Sequence, residues 1–276
     1  MSYKTISIVT VNYNNIAGLE KTIKSVLSQS SANIEFIVID GGSSDGSAEL
    51  LKKNTNKLNY WVSEPDHGIY HAMNKGIKIA TGDYILFLNS GDSLYKNDVI
   101  TLALELMTEG LDIYYGDIIY DEIQTQKKRS FPDILNFAFF FEQNISHQAS
   151  FIKKKLFDSM WTYNEEFKIV SDWEFFTYAI CKHGASYKHL NLIITNYDAT
   201  GISSNLDNQY LMNLERQKSL KKHFSEFVDD YIYLSKLRDK KTEQFIHIKS
   251  HPVAYKFLKA CINVILLFLP KFKRSM

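Results

Sequence analysis

Four aspartates sit at glycine-marked turns or beside aromatic runs, where a carboxylate can meet a ligand. Asp40 is followed by Gly41-Gly42-Ser43-Ser44-Asp45-Gly46, and Asp66 by His67-Gly68-Ile69-Tyr70-His71-Ala72-Met73-Asn74-Lys75-Gly76. Asp92 closes Phe87-Leu88-Asn89-Ser90-Gly91, and Asp172 lies in Val170-Ser171-Asp172-Trp173-Glu174-Phe175-Phe176. Oxygen donors of this type hold hard cations, and a positioned carboxylate can take the proton of a hydroxyl. Other chemistries fail on spacing. The first turn, Asn12-Tyr13-Asn14-Asn15, has no G-x-G-x-x-G, so no dinucleotide cradle precedes Asp40. There is no G-x-x-x-x-G-K-[ST], H-E-x-x-H or G-x-S-x-G, which removes the usual NTPase, zinc protease and α/β-hydrolase.

The elements that must position these residues alternate. Thr5 to Tyr13 and Ile34 to Asp40 are apolar, β-branched runs, and Ile16, Leu19, Ile23, Val26 and Leu27 recur between them at helical spacing, with Asn14 or Asn15 as N-cap. Ser47 to Lys53 reads as a helix opened by Asp45, Asn59 to Ser63 as a short strand, Tyr70 to Ala80 as a helix and Tyr84 to Leu88 as a strand. That order predicts a mostly parallel sheet with helices on both faces, whose ligands sit beyond the carboxyl ends of the strands. Seven of the twelve glycines fall between Gly41 and Gly91, so close backbone approach is concentrated on one sheet edge. Beyond it, Ile113 to Tyr120 is strand-like, Tyr120 to Phe131 a hairpin or exposed loop, Phe137 to Phe141 an aromatic run expected in the core, and Asp172 to Ile180 a helix.

A length of 276 residues fits one to two domains, and 45% hydrophobic with 23% charged residues is a globular composition. Cys181 and Cys261 are too few for a disulfide framework or thiolate cluster and fit a reducing compartment. The start, MSYKTISIVTVNYNN, lacks the pattern of a signal peptide. Charge is uneven: from Leu206 onward there are 14 Lys/Arg and 7 Asp/Glu, against 18 and 24 before it. An acidic body argues against nucleic acid as its ligand, and the basic tail suits an anionic surface such as phospholipid or, equally, a solvated helical face.

Taken together, Thr10-Val11-Asn12-Tyr13-Asn14, Asp40-Gly41-Gly42-Ser43-Ser44-Asp45-Gly46, Asp66 to Gly76 and Phe87-Leu88-Asn89-Ser90-Gly91-Asp92 resemble the family 2 glycosyltransferases. The likeness covers about residues 5 to 205 and is greatest to the bacterial O-antigen and colanic-acid branch. It implies an α/β GT-A fold, a nucleotide-sugar donor, a divalent metal and inversion at the anomeric carbon. Carried over to this chain, Asp40 accepts the imide N–H of a uracil, Val11 and Tyr13 line the base pocket, and Asp66 and Asn74 hold nucleoside and diphosphate. Ser90 and Gly91 border the donor. Helix capping is the preferred reading for Asp45 and not for Asn74.

Before residue 205 the sole arginine is Arg129, in the expected exposed loop, and Met73 stands where relatives often carry arginine. A clamp of protein cations is therefore not expected, and Mg²⁺ or Mn²⁺ becomes the natural electrophile. The family's metal motif is Asp-x-Asp, from which this chain departs: Asn89 and Gly91 take the two acidic places, leaving Asp92 as the metal ligand. Asp172 aligns with the catalytic base, with Glu174 as the fallback and a plain N-cap as the structural alternative for Asp172. His147, in Ile145-Ser146-His147-Gln148, matches a segment bordering the acceptor cleft; contact with acceptor or phosphate and a structural histidine are both open. Tyr197 to Ser204 resembles a loop that closes over the donor, or serves as a connector.

These readings predict a GT-A catalytic domain over 1–205, a helical extension over 206–250 and an amphipathic helix over 251–276. Val264 to Leu269 is apolar, interrupted upstream by Lys256, Lys259 and Asn263 and followed by Pro270, Lys271, Lys273 and Arg274. The run is shorter than the roughly 20 residues of a spanning helix and suits the bilayer interface; a terminal helix packed on its own core or a dimer mate is the alternative. The expected activity is transfer of one sugar from a nucleotide-sugar, UDP before GDP or dTDP, to a lipid-linked oligosaccharide at the cytoplasmic membrane face. The alternative is a non-catalytic GT-A module that binds nucleotide or glycan. A sugar-phosphate nucleotidyltransferase would need a basic glycine-rich loop near the N-terminus, which is missing. Oligomeric state is open.

Overall fold

The β-branched run at the N-terminus forms β1 (Ile6–Asn12), buried along its whole length, as a strand covered on both faces must be. In this computed structural model, residues 4–270 are described except 32, 123–124, 200, 202–205 and 237–239. Helix α1 (Ile16–Leu27) follows, with Asn15 as its cap: the side chain accepts from Gly18 N–H at 3.0 Å, and Leu19, Thr22, Ile23 and Val26 are buried. Next come β2 (Ile34–Asp40), α2 (Ser47–Lys53), β3 (Tyr60–Ser63), α3 (Ile69–Ile79) and β4 (Tyr84–Phe87). Asp45 takes the Ser47 N–H at 3.1 Å, the capping role expected for it. Gly76 lets α3 lie directly on β1, because a Cβ there would run into Val9.

The remaining elements of the body are β5 (Ser93–Leu94), α4 (Val99–Leu106), β6 (Ile113–Glu122), β7 (Thr125–Arg129), α5 (Phe137–Glu142), β8 (Ser150–Lys153), α6 (Lys154–Ser159), α7 (Ser171–Cys181) and β9 (Tyr187–Asp198). One sheet takes the order β3-β2-β1-β4-β8-β6-β9-β5, with β7 paired to β6 off that path. Strands β1 to β4 are parallel to their neighbours within that half, as expected. The other half mixes directions: β8 is antiparallel to both β4 and β6, β7 to β6 and β5 to β9. A short β6–β7 connection can join only antiparallel strands, so the hairpin reading of 120–131 holds. Of the aromatic run, Phe140 is fully buried while its neighbours are half-covered.

The register aligns the site. Asn12 lies beside Asp40 and Asp40 beside Ser63, so three strand ends finish level on one edge.

The chain divides into compact units of Met1–Lys218 and Ser219–Met276. Glu215 of α8 (Gln209–His223) belongs to the first. Its carboxylate accepts the backbone N–H groups of Lys168, Ile169 and Val170 at 2.7, 3.0 and 3.2 Å, which fastens the start of α8 to the body. The second unit holds the end of α8 together with α9 (Val228–Lys236), α10 (Lys240–Lys249) and α11 (Pro252–Leu266). Helix α11 has no buried residue, and Val253, Phe257 and the apolar stretch 264–269 are exposed. No described helix is long and apolar enough to cross a membrane. The basic residues Lys271, Lys273 and Arg274 lie outside the described residues.

Candidate active site

The strand ends carry two kinds of aspartate. Asp40 is 0% exposed, and its acceptor positions are filled: Oδ1 by Asn12 Nδ2 at 2.7 Å and Ser43 Oγ at 2.6 Å, Oδ2 by Ser43 N–H at 3.0 Å and Ser63 Oγ at 2.6 Å. Burial pushes its carboxyl upward, but the bonds from Ser43, Ser63 and Asn12 outweigh that and hold it below the usual carboxylate range. Asp40 therefore ties three strands and a turn together in this structure. Val11 is likewise buried in β1.

Asp66 and Tyr13 stand at the open position. Gly41 leaves a gap there: a Cβ would lie 2.5 Å from Asp66 Oδ2 and 3.3 Å from the Tyr13 ring. Asp66 Oδ1 accepts from Gly68 N–H at 2.8 Å, which fixes the carboxylate while Oδ2 faces Gly41. The Tyr13 ring is 67% exposed and available for stacking. Asn74 is elsewhere engaged. Its amide spans Tyr163, donating to the carbonyl at 2.8 Å and accepting the N–H at 2.9 Å, and also donates to Glu165 at 2.8 Å. In this structure it straps α3 to the 163–165 loop.

Beyond β4 the Asn-Ser-Gly-Asp turn is built around Gly91, whose φ of +105° favours glycine. A Cβ at Gly91 would lie 2.5 Å from Asp198 Oδ2. The carboxylate of Asp198, at the end of β9, thus fills the space that an acidic side chain at position 91 would use. Asp92 is 2% exposed and accepts the Asp198 N–H at 2.8 Å. Burial raises its carboxyl to about 7, with the Asp198 charge adding to the rise and the Asp198 N–H, His147 and Gln148 opposing it. Ser90 is half-buried and donates its N–H to Val11 at 3.1 Å.

The residues here fit a divalent cation of the kind the metal motif implies. All donors are oxygen, the Asp198 carboxylate lies at Gly91 while Asp92 holds the Asp198 N–H, and the buried Oδ1 of Asn89 has no partner. Among the described residues no three His, Cys, Asp or Glu side chains form a closed cage. Two carboxylates completed by substrate phosphates is how Mg²⁺ is commonly held. Sequence reasoning placed Asp198 in a loop and missed this position, because its meeting with Gly91 is made across β9.

His147 links this turn to Asp172. Its Nε2 lies 3.3 Å from Asn89 Nδ2 and its Nδ1 3.0 Å from Asp172 Oδ2. With the amide donating to Nε2, the ring proton belongs on Nδ1, aimed at the carboxylate. Asn144 Nδ2 also donates to Asp172 Oδ2 at 3.1 Å, and the Tyr70 hydroxyl to Oδ1 at 3.1 Å. Burial raises the Asp172 carboxyl, yet the hydrogen bond from His147, then those from Trp173 N–H and Tyr70, hold it below the ordinary range. Its side chain keeps 13% exposure, enough for one substrate atom to reach it. Asp172 lies in the first turn of α7, where the residue in the capping position is Val170.

Asp172 and His147 open into a cleft of about 190 Å³ bordered also by Arg129, Asn144, Trp173, Tyr197 and Arg216. Glu174 is not among the cleft-lining residues and is buried. Two positions along a helix is a turn of about 200°, so the fallback base faces away from Asp172. Arg129 is half-buried on β7 and borders this cleft, not an exposed loop as expected. Of the expected closing loop, Tyr197, Asp198, Ala199 and Gly201 are described and 200 and 202–204 are not.

Residues 7–168 match the family model for Glycosyl transferase family 2. A PGL/p-HBAD biosynthesis glycosyltransferase of Mycobacterium bovis is 29% identical over 222 residues, 78% of this chain and 85% of its own. An uncharacterized glycosyltransferase of Mycobacterium tuberculosis is 33% identical over 216 residues, 74% of this chain and 78% of its own. Among solved structures, TarS of S. aureus (residues 1–349, with UDP-GlcNAc) superposes with a TM-score of 0.59 at 18% identity, over 76% of this chain and 65% of that one. This chain spans only 36% of a longer TarS chain. The mannosyltransferase PcManGT of Pyrobaculum calidifontis, with GDP-Man and Mn²⁺, gives 0.57 at 13% identity over 97% of this chain and 76% of that one. These likenesses show the fold, the GT-A type expected.

Proposed function

Because this chain belongs to glycosyl transferase family 2, we propose that it moves one sugar from a nucleotide-sugar to a hydroxyl of a lipid-linked oligosaccharide, with inversion. The observation that carries this reading is Asp172, held charged by His147, Asn144 and Tyr70 at the mouth of a cleft. As general base it takes the proton of the acceptor hydroxyl. The hydroxyl oxygen then bonds to the anomeric carbon on the face opposite the diphosphate. The sugar–phosphate C–O bond breaks, and the nucleoside diphosphate leaves with the electron pair. Asp92 and Asp198 are the residues that would hold Mg²⁺ or Mn²⁺, which when bound offsets the charge of the departing diphosphate.

On the donor side, Tyr13 stacks on the base and Asp66 accepts its imide N–H, the role first read for Asp40; Ser90 and Gly91 border the diphosphate. A carboxylate acceptor suits the imide N–H of uracil, and UDP is the first nucleotide to test, ahead of GDP and dTDP. Surface-polysaccharide synthesis is our reading of the context, whereas the mycobacterial relative is named for PGL/p-HBAD biosynthesis. The exposed apolar side chains of α11, with Lys256 and Lys259 among them, support attachment to an anionic membrane from the cytoplasmic side.

Thermal shift with UDP, GDP and dTDP, with and without Mn²⁺, followed by hydrolysis of the matching nucleotide-sugars, tests the proposal. Stabilisation by UDP that needs Mn²⁺ is expected; silence with all three nucleotides would sink it. In the same series, a chain ended after Ser250 should lose sedimentation with anionic vesicles, and undiminished sedimentation would remove the membrane role of α11.

A further inference from the structure

Two guanidinium groups line the cleft beside Asp172, and among the described residues no carboxylate forms an ion pair with either. Arg129, at the end of β7, donates to the Tyr120 hydroxyl at 2.8 Å and the Asn144 carbonyl at 3.2 Å, and lies 5.0 Å from the Phe131 ring centre. All these partners are uncharged. Arg216, on α8, stacks 5.1 Å from the Trp173 ring, and its buried Nε–H has no acceptor. The Trp173 ring is itself fixed, since its indole N–H donates to the Phe140 carbonyl at 2.6 Å.

The acids nearest Arg216 in the chain and in the cleft are committed elsewhere. Glu215 spends both oxygens on the N–H groups of residues 168–170, and Asp172 on Tyr70, His147 and Asn144. Among the described residues neither arginine makes an ion pair. A desolvated cation with an unmet donor is costly unless a ligand completes it. Burial pulls the Arg216 guanidinium down, with the Asp172 charge opposing. Planar guanidinium groups on aromatic rings suit oxyanions, which they meet with paired N–H donors.

Placement along the sheet says whose oxyanion this is. The base-side residues Tyr13 and Gly41 follow β1 and β2, the Gly91 turn follows β4, and His147 precedes β8. Arg129 lies farther along the same sheet, on β7 beyond β6, and Asn144 joins it to Asp172. Arg129 and the nucleoside end thus lie on opposite sides of the Asn89–His147–Asp172 line, and Arg216 borders the same cleft as Arg129.

We propose that Arg129 and Arg216 form an oxyanion seat for the acceptor, which therefore carries a phosphoryl or carboxylate group near the hydroxyl under attack. This deepens the glycosyltransferase reading and rests on it. A lipid-linked glycan with a phosphate or diphosphate bridge and a glycan with an acidic sugar both present such a group.

Calorimetric titration of the full chain with hexyl diphosphate, hexyl phosphate, hexanoate and neutral hexyl glucoside tests the seat, with UDP plus Mn²⁺ titrated separately. Wild type should bind an anionic probe at least tenfold more tightly than the glucoside. Preference for the phosphates marks a phosphoryl acceptor, and preference for hexanoate an acidic one. Arg129→Gln and Arg216→Gln should each lose about tenfold for that anion and keep UDP affinity, while Arg216→Lys, which retains charge, recovers part of the loss. Equal binding of glucoside and anions, unchanged anion affinity in folded Arg129→Gln and Arg216→Gln, or a loss of UDP affinity instead, each overturns the seat. Failure of wild type to bind UDP would count against the donor reading alone, because the anion titration is read without nucleotide.

Discussion

His147 Nδ1 lies 3.0 Å from Asp172 Oδ2, and the opposite ring nitrogen lies 3.3 Å from Asn89 in the turn that carries the metal-motif residues. One imidazole therefore joins the carboxylate proposed as general base to the turn proposed to border the diphosphate. Its N–H both orients the carboxylate and stabilises its charged form.

Asp172→Asn should lower turnover by roughly 10²- to 10⁴-fold, the usual contribution of a general base, with UDP affinity unchanged. His147→Ala removes a donor to the ionised carboxylate, so the Asp172 carboxyl rises and the acid limb of the turnover–pH profile moves to higher pH. A profile from steady-state rates checks both. An unmoved acid limb in His147→Ala would reduce His147 to packing.

Asp198 stands in for the acid that Gly91 lacks. Asp198→Asn should weaken Mn²⁺ binding by roughly tenfold or more, on the scale of ligand-sphere changes, while the backbone bond from residue 198 to Asp92 persists. Electron paramagnetic resonance of Mn²⁺ titrated into the nucleotide-free chain reads this without turnover. Gly91→Ala should also cost about 1–2 kcal/mol, because an L side chain is strained at positive φ. Equal Mn²⁺ affinity in Asp198→Asn and wild type would remove Asp198 from the site.

Asp40 and Asp66 should separate stability from affinity. Asp40→Asn breaks a buried charged network and is expected to cost about 3 kcal/mol in urea unfolding at neutral pH. The folded carboxyl sits below its ordinary value, so its contribution is complete above about pH 4 and drains as pH falls through the folded value. The gap between wild type and Asp40→Asn should close in acid. Asp66→Asn should leave stability nearly unchanged and weaken uridine binding about tenfold, the worth of one hydrogen bond to a charged group. The reverse pattern, with Asp40→Asn stable and deficient in uridine binding, would restore Asp40 as the base reader.

The parallel half of the sheet could be read from residue types because each strand there is a continuous apolar run ending at a turn, and the helices between carry clear periodicity. Tyr13, Asp66, Asp92 and Asp172 can be singled out as candidates for the same local reason. What local pattern cannot give is which acceptor atoms are already filled. Asp40 is closed off by Ser63, a neighbour only through pairing of β2 with β3. Asn74 was read as a ligand because nothing near it in the chain announces Tyr163 or Glu165. Arg216 and Asp198 reach the site from α8 and β9, after the longest irregular stretch of the body, where no periodicity points back to the first turns.

Glu215 has a consequence for where this enzyme can end. It lies past residue 168, the last position of the family match, yet its carboxylate gathers the three amides immediately ahead of the Ser171–Asp172 step. The smallest working form must therefore extend through the opening turns of α8. Evolution is free to exchange the tail only downstream of that glutamate.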